Sequence, residues 1–100
     1  MANFNDEIIQ KVWEKGIIKQ GHDSNARRFD VCGALMKRSK YGDRNDDFGW
    51  EIDHIIPESK GGSNNIGNLR PLQWQNNLSK SNSKDNSDFC VITFVPNRKS

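Results

Sequence analysis

An α+β domain is predicted, with the whole chain of 100 residues folding as one unit, 1–100. Three observations predict it. Apolar residues near the N-terminus recur at helical spacing. Farther on, short apolar runs are bounded by Gly, Pro and Asn, and the stretch 74–82 contains neither Gly nor Pro. The expected order is a helix, a short strand or hairpin arm, two strands, a second helix and a last strand.

Ile8, Ile9, Val12 and Trp13 place the first helix over about 6–15, because their spacing puts them on one face. Asn5 is a suitable N-cap, Phe4 before it can pack on Ile9, and Gly16 is a C-terminal stop. Residues 21–30 are polar and turn-like. Val31 to Met36 then reads as a strand or hairpin arm, ahead of a basic run of Lys37, Arg38 and Lys40. After a polar loop over 42–49 a strand resumes at Trp50 and ends at Pro57. Gly61 and Gly62 supply conformational freedom, and Leu69, Pro71 and Leu72 form a second short strand. Trp74 and Leu78, four apart, place a helix from Trp74 to about Asn82, with Lys80 projecting from it. Phe89 to Val95 is rich in Val, Ile, Thr and Phe and reads as a flanking C-terminal strand over about 89–95, followed by a loose tail from Pro96. Trp13, Trp50 and Trp74 are assigned to the core.

Composition narrows the class. Apolar content of 33% supports a modest core, and a domain of this size buries roughly two thirds of its unfolded surface. The longest apolar run, Phe89 to Val95, is far shorter than the twenty or so residues a bilayer requires, so no membrane association is expected. No leader pattern stands at the start, and a cytoplasmic location is expected. Cys32 and Cys90 are too few and too far apart for a disulfide framework or a CxxC zinc site, and both are read as reduced, buried thiols. The net charge of +2 is uninformative, but its distribution is not. Residues 46–58 carry five acids, Asp46, Asp47, Glu51, Asp53 and Glu58, and no Lys or Arg, between basic stretches on both sides. A cation site beside a polyanion has that pattern; alternating solvated loops are the competing explanation.

The chemistry is concentrated in Asp53-His54-Ile55-Ile56-Pro57, then Gly61-Gly62, Asn68-Leu69, and Asn77 with Lys80 after it. None of these is specific alone. Together, an Asp and a His adjacent at a strand end and an Asn on a following helix converge when a short hairpin folds back. The segment resembles the HNH family of nucleases, whose pattern runs Asp-His, Pro, Gly-Gly, Asn-Leu and a further His or Asn nine residues after that Asn, where Asn77 stands. It is similar to the His-Asn-Asn variant, with the core motif over 50–82, and softer likenesses at Val12-Trp13, Arg28, Asp30, Cys32-Gly33-Ala34 and Tyr41-Gly42 extend upstream. The resemblance implies a ββα-metal motif: a two-stranded ribbon and a helix holding one metal ion. In many members two cysteine pairs hold a structural zinc. Here Gln73 and Asn76 stand at the second pair and Phe29 where the first would begin, so no structural zinc is expected, since one thiolate cannot close a tetrahedral site.

Each residue also has a physical case. Hydrolysing a phosphodiester needs an activated water and relief of charge on the leaving oxygen. Asp53 and the side-chain oxygen of Asn77 suit a hard cation, Mg2+ first, with Mn2+ or others as alternatives. His54 is assigned as general base, a task suited to a group whose ordinary pKa is about 6.5. Asn68 is assigned to holding the loop so that His54 faces the phosphate. Lys80, Arg70 and Lys60 are assigned to phosphates, positioning the backbone without reading sequence. His22 is assigned to an exposed loop, and Glu51 and Glu58 to shaping the local field.

The expected function is therefore that of a metal-dependent endonuclease. It would cut DNA, with RNA not excluded, to a 5′-phosphate and a 3′-hydroxyl, as the resemblance implies, and would act as a monomer or homodimer. The alternatives are a non-cleaving nucleic-acid-binding module of the same fold and an antibacterial nuclease toxin domain, with an immunity protein or partner subunit.

Overall fold

The structure, a computed structural model, describes residues 3–82 and 88–94. Its elements run α1 (Asp6–Trp13), β1 (Arg27–Phe29), β2 (Leu35–Lys37), β3 (Trp50–His54), β4 (Leu69–Gln73) and α2 (Trp74–Asn82), with short 3-10 turns between them. β1 and β2 form one antiparallel hairpin, in register Arg27↔Lys37 to Phe29↔Leu35. β3 and β4 form a second, from Trp50↔Gln73 to His54↔Leu69. Single bridges, Ile17↔Phe29 and Tyr41↔Trp50, tie connecting segments to the two hairpins. The arrangement is the expected α+β one, a ribbon β3–β4 followed directly by α2, with α1 packed on it. Among the described residues no helix is long and apolar enough to cross a membrane.

α1 begins as the sequence expects. Asn5 accepts from Ile8 N at 2.9 Å through its side chain, and the helix buries Ile9, Val12 and Trp13. These join Met36, Trp50, Ile52 and Leu69 in the main core, with Phe4, Ile8 and Tyr41 partly buried against it. Trp13 and Trp50 rings meet at 5.2 Å between centroids. Phe29, Leu35 and Phe48 make a smaller cluster under the first hairpin.

Three expectations need correction. The hairpin strands are 27–29 and 35–37, whereas Val31 to Ala34 forms the turn. Arg28 explains how this strand is held in spite of its two arginines: its guanidinium donates to the carbonyls of Ser24, Glu14 and Gly16 at 2.9, 2.8 and 3.3 Å. Asp30 Oδ1 then accepts from Cys32 N and Ala34 N, both at 2.9 Å, and closes the turn.

The segment expected as the strand 89–95 is irregular over its described part, 89–94. Its backbone pairs with a side chain instead of a strand. Asn76 Oδ1 accepts from Val91 N and Ile92 N, both at 2.8 Å, and Asn76 Nδ2 donates to Ile92 O at 2.9 Å. Val95 and the tail from Pro96 lie outside the described residues.

Finally, Cys32 and Cys90 are not free thiols but a disulfide, with Cα atoms 5.5 Å apart across 58 positions of sequence. Sequence distance hid this pairing, because the approach depends on α2 carrying the C-terminal segment back to the first hairpin. A bond closing so long a loop contributes about 2–4 kcal/mol. Reduction is expected to lower the melting midpoint by about 10–25 °C, read by circular dichroism with and without a thiol reductant; an unchanged midpoint would mean that the bond adds no stability.

Candidate active site

Alternation along β3 sorts the side chains. Trp50 and Ile52 go into the core, whereas Glu51 and Asp53 take the other face and meet α2. Asp53 is buried and both its oxygens are engaged: Lys80 Nζ donates to Oδ1 at 3.0 Å and Arg70 Nε to Oδ2 at 2.8 Å. Lys80 also donates to His54 O at 2.8 Å, so one ammonium pins the Asp53-His54 pair to α2. Asn77 Nδ2 donates to Glu51 Oε1 at 2.8 Å. Arg44 grips the same carboxylate with Nε and Nη2, at 2.6 and 2.9 Å. Burial pushes the Glu51 carboxyl up, but the bonds from Arg44 and Asn77 and the Arg44 charge outweigh it and hold it below the usual range. Burial, then the Glu51 charge, pushes the Tyr41 phenol up.

His54 ends β3 with its ring 6.1 Å from that of Phe4. Its side chain is 14% exposed, and Nε2 lies 2.6 Å from Asn64 Oδ1 and 3.7 Å from Glu58 Oε2. The loop that supplies these neighbours is held by Asn68. Its Oδ1 accepts from Ile56 N at 2.8 Å, and its Nδ2 donates to Ile56 O at 3.1 Å and to Ser63 O at 2.8 Å. Gly62 is required where the loop doubles back, because a Cβ there would stand 1.7 Å from Ile56 O and 2.9 Å from Asn68 Nδ2. Gly61 beside it has φ +89°, the left-handed region that favours glycine.

A cleft of about 920 Å³ collects these groups. Asp53, His54, Asn77, Lys80 and Lys60 line it, with Glu51, Arg44 and Tyr41. Of the residues singled out from sequence, Asn68 and Arg70 are not on this wall: Asn68 braces the loop behind it, and Arg70 lines a separate, smaller pocket. Arg70 and Lys80, expected to face phosphate, instead turn their charges to Asp53. Register places Arg70 opposite Asp53, and Lys80 is buried on the inner side of α2. Lys60 remains exposed. His22, expected exposed, is half-buried with its ring edge on Phe29, centroids 5.0 Å apart. Trp74, assigned to the core, is half-buried, and Leu78 is 39% exposed.

Sequence reasoning missed the hold of Glu51, itself gripped by Arg44, on Asn77 and the contact of Asn64 with His54. Period-2 alternation already put Glu51 beside Asp53 on one strand face and would have found the former; nothing in the local sequence marks the latter.

The donor chemistry fits a hard divalent cation. Asp53 offers carboxylate oxygens, each with lone-pair capacity beyond the single N–H bond it accepts, and Asn77 offers an amide oxygen. Among the described residues no group of three or more His, Cys, Asp or Glu side chains converges to cage a metal. A cation here would thus rely on water and substrate oxygens for much of its coordination, as magnesium commonly does.

A second polar hub joins the turn of the first hairpin to the start of α2. Asp30 Oδ2 accepts from Gln73 N at 2.9 Å and from Asn76 Nδ2 at 3.0 Å, and Gln73 Oε1 accepts from Gln75 N and Asn76 N at 2.8 and 3.1 Å, which caps the start of α2.

Comparison with known families agrees with this geometry. A family model described as HNH endonuclease matches residues 31–83, more than half of the chain, and takes in the β3–β4 ribbon, its loop and α2. No curated protein and no solved structure gives a significant match. A ribbon leading straight into a helix, with Asp53 and His54 at the strand end, and a family match across those elements place this chain in the HNH endonuclease family.

Proposed function

We propose that the protein hydrolyses phosphodiester bonds in DNA, with His54 as general base and one divalent cation, Mg2+ foremost, held by Asp53 and Asn77. The observation that carries this is the cleft in which an imidazole, a carboxylate and a carboxamide from β3 and α2 share one wall. When bound, the cation neutralises charge on the phosphate and its leaving oxygen. The chain's own residues do the rest. His54 accepts a proton from water as the water oxygen attacks phosphorus. The bond to the 3′ oxygen breaks, and that oxygen takes a proton from solvent, leaving a 3′-hydroxyl and a 5′-phosphate. Lys80 and Arg70 fix the direction of the Asp53 carboxylate; Glu51, itself fixed by Arg44, holds the amide of Asn77 by its nitrogen and leaves Oδ1 for the cation. Lys60, exposed at the cleft, is the phosphate contact.

The test is conversion of supercoiled plasmid by purified protein in magnesium, in manganese and in chelator. Nicked or linear product that chelator abolishes is the expected result. Folded protein that holds DNA in a salt-sensitive manner but makes no product in either metal would refute cleavage and leave a binding module.

Asn68→Ala is expected to lose activity and stability together, because three hydrogen bonds bracing the 56–63 loop go with it. A loss of about 1–3 kcal/mol is expected, seen as a lower melting midpoint, and an unchanged melt would remove the bracing role.

A further inference from the structure

Both polar contacts to the His54 ring fall on one nitrogen. Nε2 lies 2.6 Å from Asn64 Oδ1 and 3.7 Å from Glu58 Oε2. An amide oxygen only accepts, so the proton of a neutral ring bonded in this way is on Nε2 and the lone pair is on Nδ1. In neutral imidazole the bond made by one nitrogen decides what the other can do. A general base oriented by a third group through its far nitrogen is a recurrent catalytic arrangement.

We propose that Asn64 is a positioning residue that locks His54 in the Nε2–H tautomer and so presents Nδ1 as the nitrogen that takes the proton from water. The loop is built to deliver it. Asn64 stands between Ser63, whose carbonyl is held by Asn68 Nδ2 at 2.8 Å, and Asn65, whose carbonyl accepts from Asn68 N at 2.8 Å. Gly62 N closes the other side of the loop on Pro57 O at 2.9 Å. Asn68 therefore acts on His54 through Asn64, which gives the braced loop a chemical purpose as well as a structural one. After proton transfer the ring still donates from Nε2 to Asn64, and Glu58 faces the imidazolium from the same side.

The catalytic consequence rests on the reaction proposed above; the tautomer does not. The experiment is 15N NMR of histidine-labelled protein in mildly alkaline buffer, where protonated and bare ring nitrogens give distinct shifts. The signals of His22 are assigned by their loss in His22→Gln. Wild type is expected to show the Nε2–H form of His54. Asn64→Ala should move the two shifts toward an average of both tautomers, and Asn64→Asp, which keeps an acceptor, should retain the wild-type pattern. In the plasmid assay Asn64→Ala should lower kcat roughly tenfold at unchanged KM, with Asn64→Asp restoring most of it. An Nδ1–H form in wild type, which a bond from the Asn64 amide nitrogen would produce, overturns the proposal, as does an identical pattern in Asn64→Ala. The expected tautomer change in a protein that cuts nothing would uphold the lock and refute the reaction.

Discussion

His54→Ala is expected to lower plasmid cleavage by about 10²- to 10⁴-fold, the usual contribution of a positioned general base. The fold should survive. His54 ends its strand at the rim of the core, its polar contacts are to loop residues Asn64 and Glu58, and its nearest ring is the partly buried Phe4. The groups assigned to the cation are untouched, because Lys80 reaches the backbone carbonyl of residue 54 and not its side chain. The variant should therefore still show metal-dependent, salt-sensitive retention on DNA. Rates are compared in magnesium at matched protein concentration, beside melting curves of both proteins. Retention of more than about a tenth of wild-type activity would assign the proton transfer to another group. Complete loss accompanied by a collapsed melt would leave the role of the imidazole undecided by activity, and retention on DNA would then settle whether the cleft persists.

The second large effect concerns stability. Asp30→Ala is expected to cost about 3–5 kcal/mol, because it strips the acceptor from several donors at once, where one buried group left unpaired costs about 1–3 kcal/mol. Asp30 is 1% exposed and accepts four hydrogen bonds, from Cys32 N, Ala34 N, Gln73 N and Asn76 Nδ2. Its two oxygens join the turn of the first hairpin to the junction of β4 and α2. Asn76, so oriented, binds the segment that carries Cys90. Shortened to alanine, the side chain no longer reaches these donors, and they lose their acceptor. In a chain of 100 residues a loss of this size lowers the midpoint by about 15–30 °C. Asp30→Asn, which keeps one oxygen and offers a donor where an acceptor is needed, should fall between. A shift under about 1 kcal/mol for Asp30→Ala would mean that the hub contributes little.

Hydrophobic patterning made much of this architecture legible. Ile9, Val12 and Trp13 lie on the buried face that their spacing requires. Trp50 and Ile52 alternate into the core as strand residues do, and Asn5 caps α1. α2 was legible in extent but not in orientation. Its apolar Leu78 is exposed, and its buried residues are Asn76 and Lys80. A helix that packs through hydrogen bonds and an ion pair has no apolar stripe to read, since the partners, Asp30, Asp53 and Ile92 O, come from other parts of the chain. The pairing of Arg70 and Lys80 with Asp53 was not legible for the same reason: composition reports a charge but not which counter-charge the register and packing set beside it.

What the sequence by itself determined is local: the helix and strand periods, the turn glycines, and the ordered series Asp53, His54, Asn68 and Asn77 that identifies the family. Tertiary structure alone decided which of these groups face one another. It joined Cys32 to Cys90, turned Asn76 to the C-terminal segment, placed Lys80 on Asp53 and brought Asn64 to His54. The physical reason is range. Periodicity and turn chemistry are set by neighbours a few positions away, whereas a hydrogen bond or disulfide needs its two ends within a few ångströms, an approach that exists only once the hairpins and helices have packed.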